Sequence, residues 1–238
     1  MKKNTLMYNA FRLTLVTILI FLFGCKKNVT PTTNSFISNV TICNQVWMSK
    51  NLDVGNYRNG DLIPQVTDPI AWANLTTGAW CWYNNDSATF SALYGRLYNW
   101  YAINDPRGLA PPGWHIPSES EWNKLVICLD PIADTLCIGC EESTVAGGAL
   151  KDTGTANWFS PNLGATNSSG FTALPAGQRN NNGTIHTFDN IRYAGGWWSS
   201  TEHTTTTART RYVHSFTAGS YITVVNKVYG LSVRCVKD

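Results

Sequence analysis

The segment ARTRYVHSFTAGSYITVVNK (residues 208–227) contains two β-strand patterns separated by a short turn. Tyr212, His214 and Phe216 alternate with smaller or more polar neighbours, which is the period of two expected of a half-buried strand. The small residues AGS (218–220) are short enough to turn the chain back into the second strand. The segment therefore predicts two antiparallel strands in the C-terminal third of the chain.

Further strand-like pieces lie on either side of this segment, separated by turns rich in Gly, Asn and Thr. VTICNQVWM (40–48) is rich in β-forming residues, and Asn59-Gly60 is a strong turn signal. The C-terminal pieces are FTALPAGQR (171–179), WWSSTE (197–202) and LSVRCVKD (231–238). These patterns predict small antiparallel strands with long ordered loops.

Two helices are predicted between the first strands and the C-terminal strands. LYGRLYNWYAI (93–103) places apolar residues at the i, i+3, i+4 and i+7 spacing of one helical face. A second helix is expected to begin at Ser118, because Ser118 and Glu121 have the spacing of a capping box. Its buried stripe is Trp122, Leu125, Val126 and Leu129. The predicted class is α+β, a single domain with two helices, short antiparallel strands and long loops.

The composition excludes several classes of protein. Of 238 residues, 43% are hydrophobic and only 14% are charged, so the chain is neither disordered nor a coiled coil. The formal net charge is +3, but Lys2, Lys3 and Arg12 lie in the leader, and their removal leaves 15 basic and 15 acidic residues. A nearly neutral domain gives no support for nucleic-acid binding, and we expect none.

The first 25 residues have the pattern of a signal peptide, with a basic start and an apolar run over residues 13–23. This run is too short to span a hydrocarbon core of about 30 Å as a helix. LFGC (22–25) resembles a bacterial lipobox, which makes Cys25 the expected lipidation site. The alternative is an ordinary signal peptide followed by an incidental cysteine.

A lipid on Cys25 would attach the protein to a membrane through its acyl chains. We expect a lipoprotein signal peptide over residues 1–24, a lipid-anchored tether over 25–39 and a domain over 40–238. The expected location is the outer membrane of a bacterial cell envelope, facing either the periplasm or the exterior. We expect a monomer.

Six further cysteines favour disulfide bonds in an exported chain. The sequence does not choose among their connectivities, although CLDPIADTLCIGC (128–140) favours at least one local bridge. Zinc is the alternative for the CxxC pair at 137–140, but no second such pair and no nearby histidine completes four ligands. A redox role for this pair lacks the usual βαβ setting. The predicted disulfide cysteines are Cys43, Cys81, Cys128, Cys137, Cys140 and Cys235.

An ordered series of runs in this sequence matches the pattern of a known family. The runs are YGRLYNWYAI (94–103), LAPPGWHIPSESEW (109–122), AGGALKDTGTANW (146–158), NSSGFTALPAGQRNNNGT (167–184), GGWWSSTE (195–202) and YGLSVRCVKD (229–238). On these runs the chain resembles the Fibrobacter succinogenes major paralogous domain family from about Thr41 to Asp238. Members of that family are mostly lipoproteins and secreted proteins of that bacterium and of Bacteroidota, with no established biochemical activity. The resemblance implies export and leaves the function open.

A more distant resemblance concerns the fold. GWHIPSESEW (113–122) is similar to the R-L-P-T-E-A-E-W signature of formylglycine-generating enzymes, and LSVRCV (231–236) is similar to their G-F-R-C-V ending. This similarity implies a C-type-lectin-like fold and a structural role for Cys235. The copper-binding cysteine pair of those enzymes has no counterpart, because residues 203–231 contain no cysteine. Their chemistry is therefore not expected here.

Aromatic density indicates candidate ligand contacts, because Trp and Tyr offer flat faces and a polar group to sugars or protein partners. In an extended strand, adjacent residues face opposite sides, so only one of Trp197 and Trp198 is expected in the core. Core packing beneath loops is the alternative for each tryptophan. The candidate contacts are Trp82, Trp197, Trp198, Glu202 and Arg211.

The remaining polar residues predict neither a catalytic site nor a metal site. The four histidines show no metal-ligand spacing, and we expect a hydrogen-bonded structural role for His115. For Glu202, the alternative to ligand contact is a hydrogen bond that holds a loop. The calcium-binding triplets of C-type lectins are absent, so the sequence does not indicate a structural calcium ion, and we expect no cofactor.

The sequence thus predicts a non-enzymatic cell-envelope lipoprotein whose domain binds or displays a ligand, either a glycan or a protein partner. The alternatives are an enzyme of the formylglycine-generating superfamily fold with altered chemistry, and a purely architectural surface protein. A shallow aromatic face would favour binding, and a deep pocket with perturbed titratable groups would favour an enzyme. Burial of every tryptophan would favour the architectural role.

Overall fold

The computed structural model describes residues 37–180 and 188–238 of the chain. The predicted signal peptide, the predicted lipidation site Cys25 and residues 25–36 of the predicted tether lie outside the described residues. Phe36–Asp238 forms one unit with its own hydrophobic core. No helix in the described part of the chain is both long enough and apolar enough to cross a membrane.

The α+β class is confirmed by five α-helices and twelve β-strands among the described residues. The strands are β1 Asn39–Ile42, β2 Gln45–Met48, β3 Trp80–Cys81, β4 Leu97–Tyr98, β5 Trp114–His115, β6 Cys140–Ser143, β7 Ala176–Arg179, β8 Phe188–Ile191, β9 Ala194–Glu202, β10 Thr207–His214, β11 Ser220–Asn226 and β12 Val236–Lys237. The helices are α1 Pro69–Ala73, α2 Ser87–Tyr94, α3 Trp100–Ile103, α4 Glu119–Leu129 and α5 Ala146–Leu150.

The strands form two four-stranded sheets and two strand pairs. The first sheet, ordered β1-β2-β12-β5, joins the two ends of the domain, since Val236 pairs with Trp47. The second sheet is ordered β6-β11-β10-β9, and its two middle strands are the predicted antiparallel pair. Tyr212 of β10 lies opposite Tyr221 of β11. β3 pairs with β4, and β7 pairs with β8.

The second predicted helix is confirmed as α4. The Ser118 hydroxyl accepts a hydrogen bond from the Glu121 amide, and the Glu121 carboxylate accepts one from the Ser118 amide. This reciprocal pair satisfies two donors that a helix start would otherwise leave unpaired. Trp122, Leu125 and Val126 are buried, as their spacing predicted. They pack α4 against one face of the second sheet.

The first predicted helix, over residues 93–103, is wrong as a single element. α2 ends at Tyr94, because Gly95 takes a backbone φ of 72°. The chain then forms β4, which pairs with β3, before Asn99 caps α3 by accepting from the Ala102 amide. Tertiary strand pairing therefore overrides the helical spacing of the apolar residues. The other unpredicted helices are short, and α1, α3 and α5 have five residues or fewer, too few to show a periodicity.

The disulfide prediction is correct for four cysteines and wrong for two. Cys43–Cys128 joins the β1–β2 turn to the end of α4, and Cys137–Cys140 forms a local bridge. Cys81 and Cys235 are free and fully buried, each in a different hydrophobic cluster. Burial raises the pKa of both thiols to about 12, so they are protonated and serve as small apolar side chains.

Three of the buried cations each bind two or more backbone carbonyl groups, most of them in loops. The Lys151 ammonium donates to the carbonyl oxygens of Leu163, His214 and Thr217 at 2.7–2.9 Å. The Arg179 guanidinium donates to the carbonyl oxygens of Val66, Thr67 and Asp68. The Arg234 guanidinium donates to those of Met48 and Phe171. Loop carbonyls have no strand or helix partner, and leaving them buried and unpaired would be costly. The cations therefore hold the loops against the sheets.

Replacing Lys151 by methionine should destabilise the fold, because three buried carbonyls would lose their donor while the aliphatic stem is kept. We expect the free energy of unfolding to fall by about 3 kcal/mol, measured by urea denaturation near neutral pH. The matched control is Lys50→Met at an exposed position, which should leave the midpoint unchanged. Equal stability of Lys151→Met and the wild type would contradict the role given to this cation.

Candidate functional site

All ten tryptophans of the chain are buried. Trp82 lies edge-on against Trp80, and the Arg96 guanidinium carbon lies 4.5 Å from its ring centre. Trp197 and Trp198 are fully enclosed. The prediction that Trp82, Trp197 and Trp198 present contact surfaces is therefore wrong, and the alternative of core packing holds for them.

Trp197 and Trp198 point to opposite faces of β9, as adjacent strand residues must. Both are nevertheless in the core, because both faces of the sheet are covered at this strand. The Trp197 indole donates to Asn51 at 2.9 Å, and the Trp198 indole donates to the Tyr98 carbonyl at 2.7 Å. The expectation that only one of them is buried fails because it assumed a sheet with one solvated face.

Glu202 and Arg211 are also held by other side chains. The Lys227 ammonium donates to the Glu202 carboxylate, so this residue has the loop-holding role given as its alternative. Arg211 is buried and forms ion pairs at 3.0 Å with Glu119 of α4 and Glu142 of β6. Its guanidinium thus joins α4 to the second sheet. The structure contradicts the prediction that Arg211 is free to contact a ligand.

An open groove of about 380 Å³ lies over β10 and β11, the middle strands of the second sheet. Most of its side chains are aromatic or uncharged polar groups. We call it the tyrosine groove, and it is lined by Gly139, Gln178, Tyr212, His214, Tyr221, Ile222, Thr223, Val225 and Tyr229. Its volume is at the lower end of the range for small-molecule sites.

The aromatic rings of the tyrosine groove contact one another. The Tyr212 and His214 rings lie 6.0 Å apart and nearly parallel, and Tyr221 meets His214 edge-on at 5.1 Å. Gly196 of β9 makes room for this arrangement, because a Cβ atom there would lie 2.5 Å from the Tyr212 ring. The Tyr212 hydroxyl donates to Gln178 at 2.6 Å, which ties the aromatic row to β7.

The opposite side of the groove is formed by β6 and the loop before it. The Gly139 amide donates to the Ile222 carbonyl at 2.8 Å, and the Cys137–Cys140 disulfide closes the loop that carries Gly139. The Tyr221 hydroxyl donates to the Glu141 carboxylate at 3.1 Å. These contacts hold the groove lining in place from the sheet edge.

The groove carries no charge near neutral pH. None of its lining residues is Asp, Glu, Lys or Arg. Burial lowers the pKa of His214, and the nearby Lys151 charge lowers it further, so the imidazole is neutral. The Lys151 ammonium itself is occupied by its three carbonyls.

A larger open cleft of about 650 Å³ lies between the β1–β2 turn, α4 and β12. Two carboxylates that line it, Glu121 and Asp238, are already engaged. His115 lies beside it, with Nδ1 2.7 Å from Asp238 and Nε2 2.6 Å from Glu121. Both nitrogens can donate only in the protonated imidazole. The predicted structural role of His115 is confirmed, and we rank this cleft below the tyrosine groove as a ligand site.

His115, beside this cleft, has a shifted pKa. Burial alone would lower the pKa of His115, but its bonds with Glu121 and Asp238 outweigh burial and raise it above 6.5. Burial would raise the pKa of Glu121, but the Ser118 amide and His115 outweigh it and lower it. The two groups therefore stabilise each other's charged form.

A strongly perturbed carboxyl group lies inside the core. Burial raises the pKa of Glu142 to about 7, although the Arg211 charge opposes the shift. The adjoining cavity has a volume of about 10 Å³ and accommodates at most about one water molecule. A substrate does not fit there. Among residues 37–180 and 188–238, no three His, Cys, Asp or Glu side chains are grouped so as to bind a metal ion.

The sequence signal for the tyrosine groove was present but incomplete. The alternation of Tyr212, His214 and Phe216 identified a strand with one aromatic face. It did not show that this face is open, or that Gln178 and Tyr229 come from elsewhere in the chain to line it. Tyrosines opposite one another in an antiparallel pair are a usable signal for such a surface.

Comparison with known proteins gives one family match. The family model described as the Fibrobacter succinogenes major domain matches residues 40–237. No curated protein and no solved structure matches the chain.

The His115 contacts predict a specific dependence of stability on pH. Because the folded-state pKa of His115 is raised, its stabilising effect is complete below pH 6.5 and is lost as the pH rises through the folded-state value. His115→Gln should therefore be less stable than the wild type at about pH 6, with the difference disappearing by about pH 9. Urea denaturation at both pH values measures this.

The control for this measurement is His203→Gln at an exposed position, which should behave as the wild type at both pH values. A stability difference for His115→Gln that is the same at both pH values would show that the charge of His115 is not what stabilises the contact.

Proposed function

Because the chain belongs to the Fibrobacter succinogenes major domain family, we propose that it is a lipid-anchored protein of the bacterial cell envelope. Its domain binds a ligand at the tyrosine groove, either a glycan or a protein partner, and does not catalyse a reaction. The family match supports the domain assignment.

The proposed anchor rests on the first 25 residues. A basic start, an apolar run and LFGC (22–25) are the elements of a lipoprotein leader. Ile37, the first described residue, lies twelve positions after Cys25, so the chain between them reaches at most about 40 Å when extended. The domain would stay close to the outer membrane, on its periplasmic or its exterior side.

The observation that carries the proposed ligand binding is the open, uncharged aromatic lining of the tyrosine groove. Packing the core does not require aromatic side chains to line an open groove. Aromatic residues that carry polar groups are enriched where proteins bind ligands. Four of the lining residues are aromatic, namely Tyr212, His214, Tyr221 and Tyr229. The groove replaces the tryptophans as the expected contact surface.

The non-enzymatic part of the proposal is supported by where the perturbed groups lie. Glu142 adjoins a closed cavity, and the thiols of Cys81 and Cys235 are buried and protonated near neutral pH. A catalytic group must reach its substrate, with a pKa near the working pH. An enzyme of the formylglycine-generating superfamily fold with altered chemistry remains the alternative, and turnover of a substrate by the protein would support it.

For the finer fold we propose the C-type-lectin-like arrangement. It is supported by short strands and long loops packed around α4, and by the position of GWHIPSESEW (113–122), which leads from β5 into this helix.

A purely architectural role is the second candidate. The burial of all ten tryptophans favours it, since that leaves no tryptophan face for a ligand. The architectural role and the binding role differ in one property, which is whether side chains of the tyrosine groove affect the retention of any ligand.

The anchor is tested by Cys25→Ser, which removes the sulfur atom that would receive the lipid. In cells labelled with a tritiated fatty acid, the wild type should carry label and fractionate with membranes, whereas Cys25→Ser should carry none. Cys43→Ser is a poor control because it breaks a disulfide, so Lys26→Ser is the matched one. Label on Cys25→Ser, or none on the wild type, would refute the anchor.

Ligand binding is tested with the double variant Tyr221→Ala/Tyr229→Ala, which removes two aromatic groups of the groove. The wild type should retain at least one member of a defined panel of polysaccharides and displayed peptides, and the variant should bind it at least about tenfold more weakly. Retention on immobilised ligands measures this, and circular dichroism verifies folding.

The control for this panel is Tyr193→Ala, an exposed aromatic residue outside the groove. It should bind as the wild type does. Ligand binding that the groove substitutions leave unchanged, or no binding to any panel member, would contradict the proposed function and favour the architectural role.

A further inference from the structure

Three polar side chains of the tyrosine groove have donor or acceptor atoms that no described residue uses. Within the described part of the chain, Gln178 accepts from Tyr212 through Oε1, while its Nε2 amino group donates to no residue. The Thr223 hydroxyl and the His214 ring nitrogens also have no hydrogen-bond partner among the described residues. Together they offer an amide donor, a hydroxyl that both donates and accepts, and a neutral imidazole that does the same.

The groove has no charge to pair with an ionic ligand. The nearest carboxylate on the β6 side, Glu141, already accepts from Tyr221 and Thr217. On the β7 and β8 side, Asp189 accepts from Asn180 through Oδ2, and its Oδ1 is buried and so not open to a ligand. An ionic ligand would lose its hydration here without gaining a counter-charge, which is unfavourable. The occupant that suits this lining is uncharged.

The position of the groove on the sheet disfavours an extended peptide. β10 and β11 are the inner strands of the second sheet, and their backbone groups are used in pairing with each other and with β9 and β6. A peptide strand binds by adding to a free sheet edge, and the groove offers none. A proline-rich segment fits aromatic grooves, but proline has no backbone N–H and would leave the acceptors of the groove unused.

We propose that the tyrosine groove binds an uncharged oligosaccharide. A neutral pyranose has apolar C–H faces for the half-buried rings of Tyr221 and Tyr229, and each of its hydroxyls can both donate and accept at Gln178, Thr223 and His214. This inference rests on the proposed function, since it names the ligand class for the same site.

The groove is also held in place before any ligand binds. Lys151 binds the His214 carbonyl from below, Gln178 fixes the Tyr212 hydroxyl, and Glu141 fixes the Tyr221 hydroxyl. Side chains that are already ordered lose less conformational entropy on binding. This favours useful affinity from a shallow surface.

The test is isothermal titration of the full-length protein in detergent solution at neutral pH. The probes are neutral gluco-, xylo- and manno-oligosaccharides, an acidic oligogalacturonate and a proline-rich peptide. We expect at least one neutral oligosaccharide to bind, and the acidic one to bind at least about tenfold more weakly. Preferential binding of the acidic oligosaccharide, or no binding of any neutral one, would overturn the proposal.

Two variants locate the sugar. Thr223→Val keeps the side-chain shape and removes the hydroxyl, and should weaken binding about five- to tenfold. Tyr229→Ala removes an aromatic contact and should weaken it further. Thr205→Val, at an exposed position outside the groove, is the matched control and should have no effect. Unchanged affinity in both Thr223→Val and Tyr229→Ala would place the sugar elsewhere and overturn the proposal.

The binding results distinguish an error in the ligand class from an error in the binding site. If the proline-rich peptide binds in a Tyr229-dependent manner and no neutral sugar does, the groove remains a binding site and the ligand class is wrong. If no ligand depends on the groove, both are wrong.

Discussion

The domain depends on buried cations that bind loop carbonyls. Its strands are short, so much of the backbone runs in loops whose carbonyl groups have no ladder partner. Lys151, Arg179 and Arg234 supply donors to these groups from within the protein. Each also lies near an aromatic ring, which favours a cation in an apolar setting. The loops are therefore ordered by specific contacts as well as by apolar burial.

One of these cations, Lys151, helps to hold the tyrosine groove in place. Lys151 lies behind the end of β10 and binds the carbonyls of His214 and Thr217, which lead into the turn between β10 and β11. Burial lowers the pKa of His214, and the Lys151 charge adds to this shift, so both favour the neutral imidazole in the groove. Lys151 does not line the groove, but it positions the end of β10 and favours the neutral form of His214.

Local patterns in the sequence predicted what local forces determine. The capping box at Ser118 and the alternation in residues 208–227 correspond to α4 and to β10 and β11, because caps and strand faces depend on near neighbours. The helical spacing in residues 93–103 failed, because pairing of β4 with β3 is a long-range contact. The burial of both Trp197 and Trp198 depends on a second layer that packs against the sheet, which the alternation of one strand does not reveal.

The two faces of the β10–β11 hairpin have different surroundings. Arg211 lies on the face turned to α4, where it pairs with Glu119 and Glu142, whereas Thr210 lies opposite Thr223 on the face that carries the groove. Under the proposed function, exchanging His214 or Thr223 would change which ligand fits the groove, while the side chains on the face turned to α4 stay the same. Such a layout suits a duplicated gene, since copies can acquire new specificities through a few substitutions without having to evolve a new scaffold.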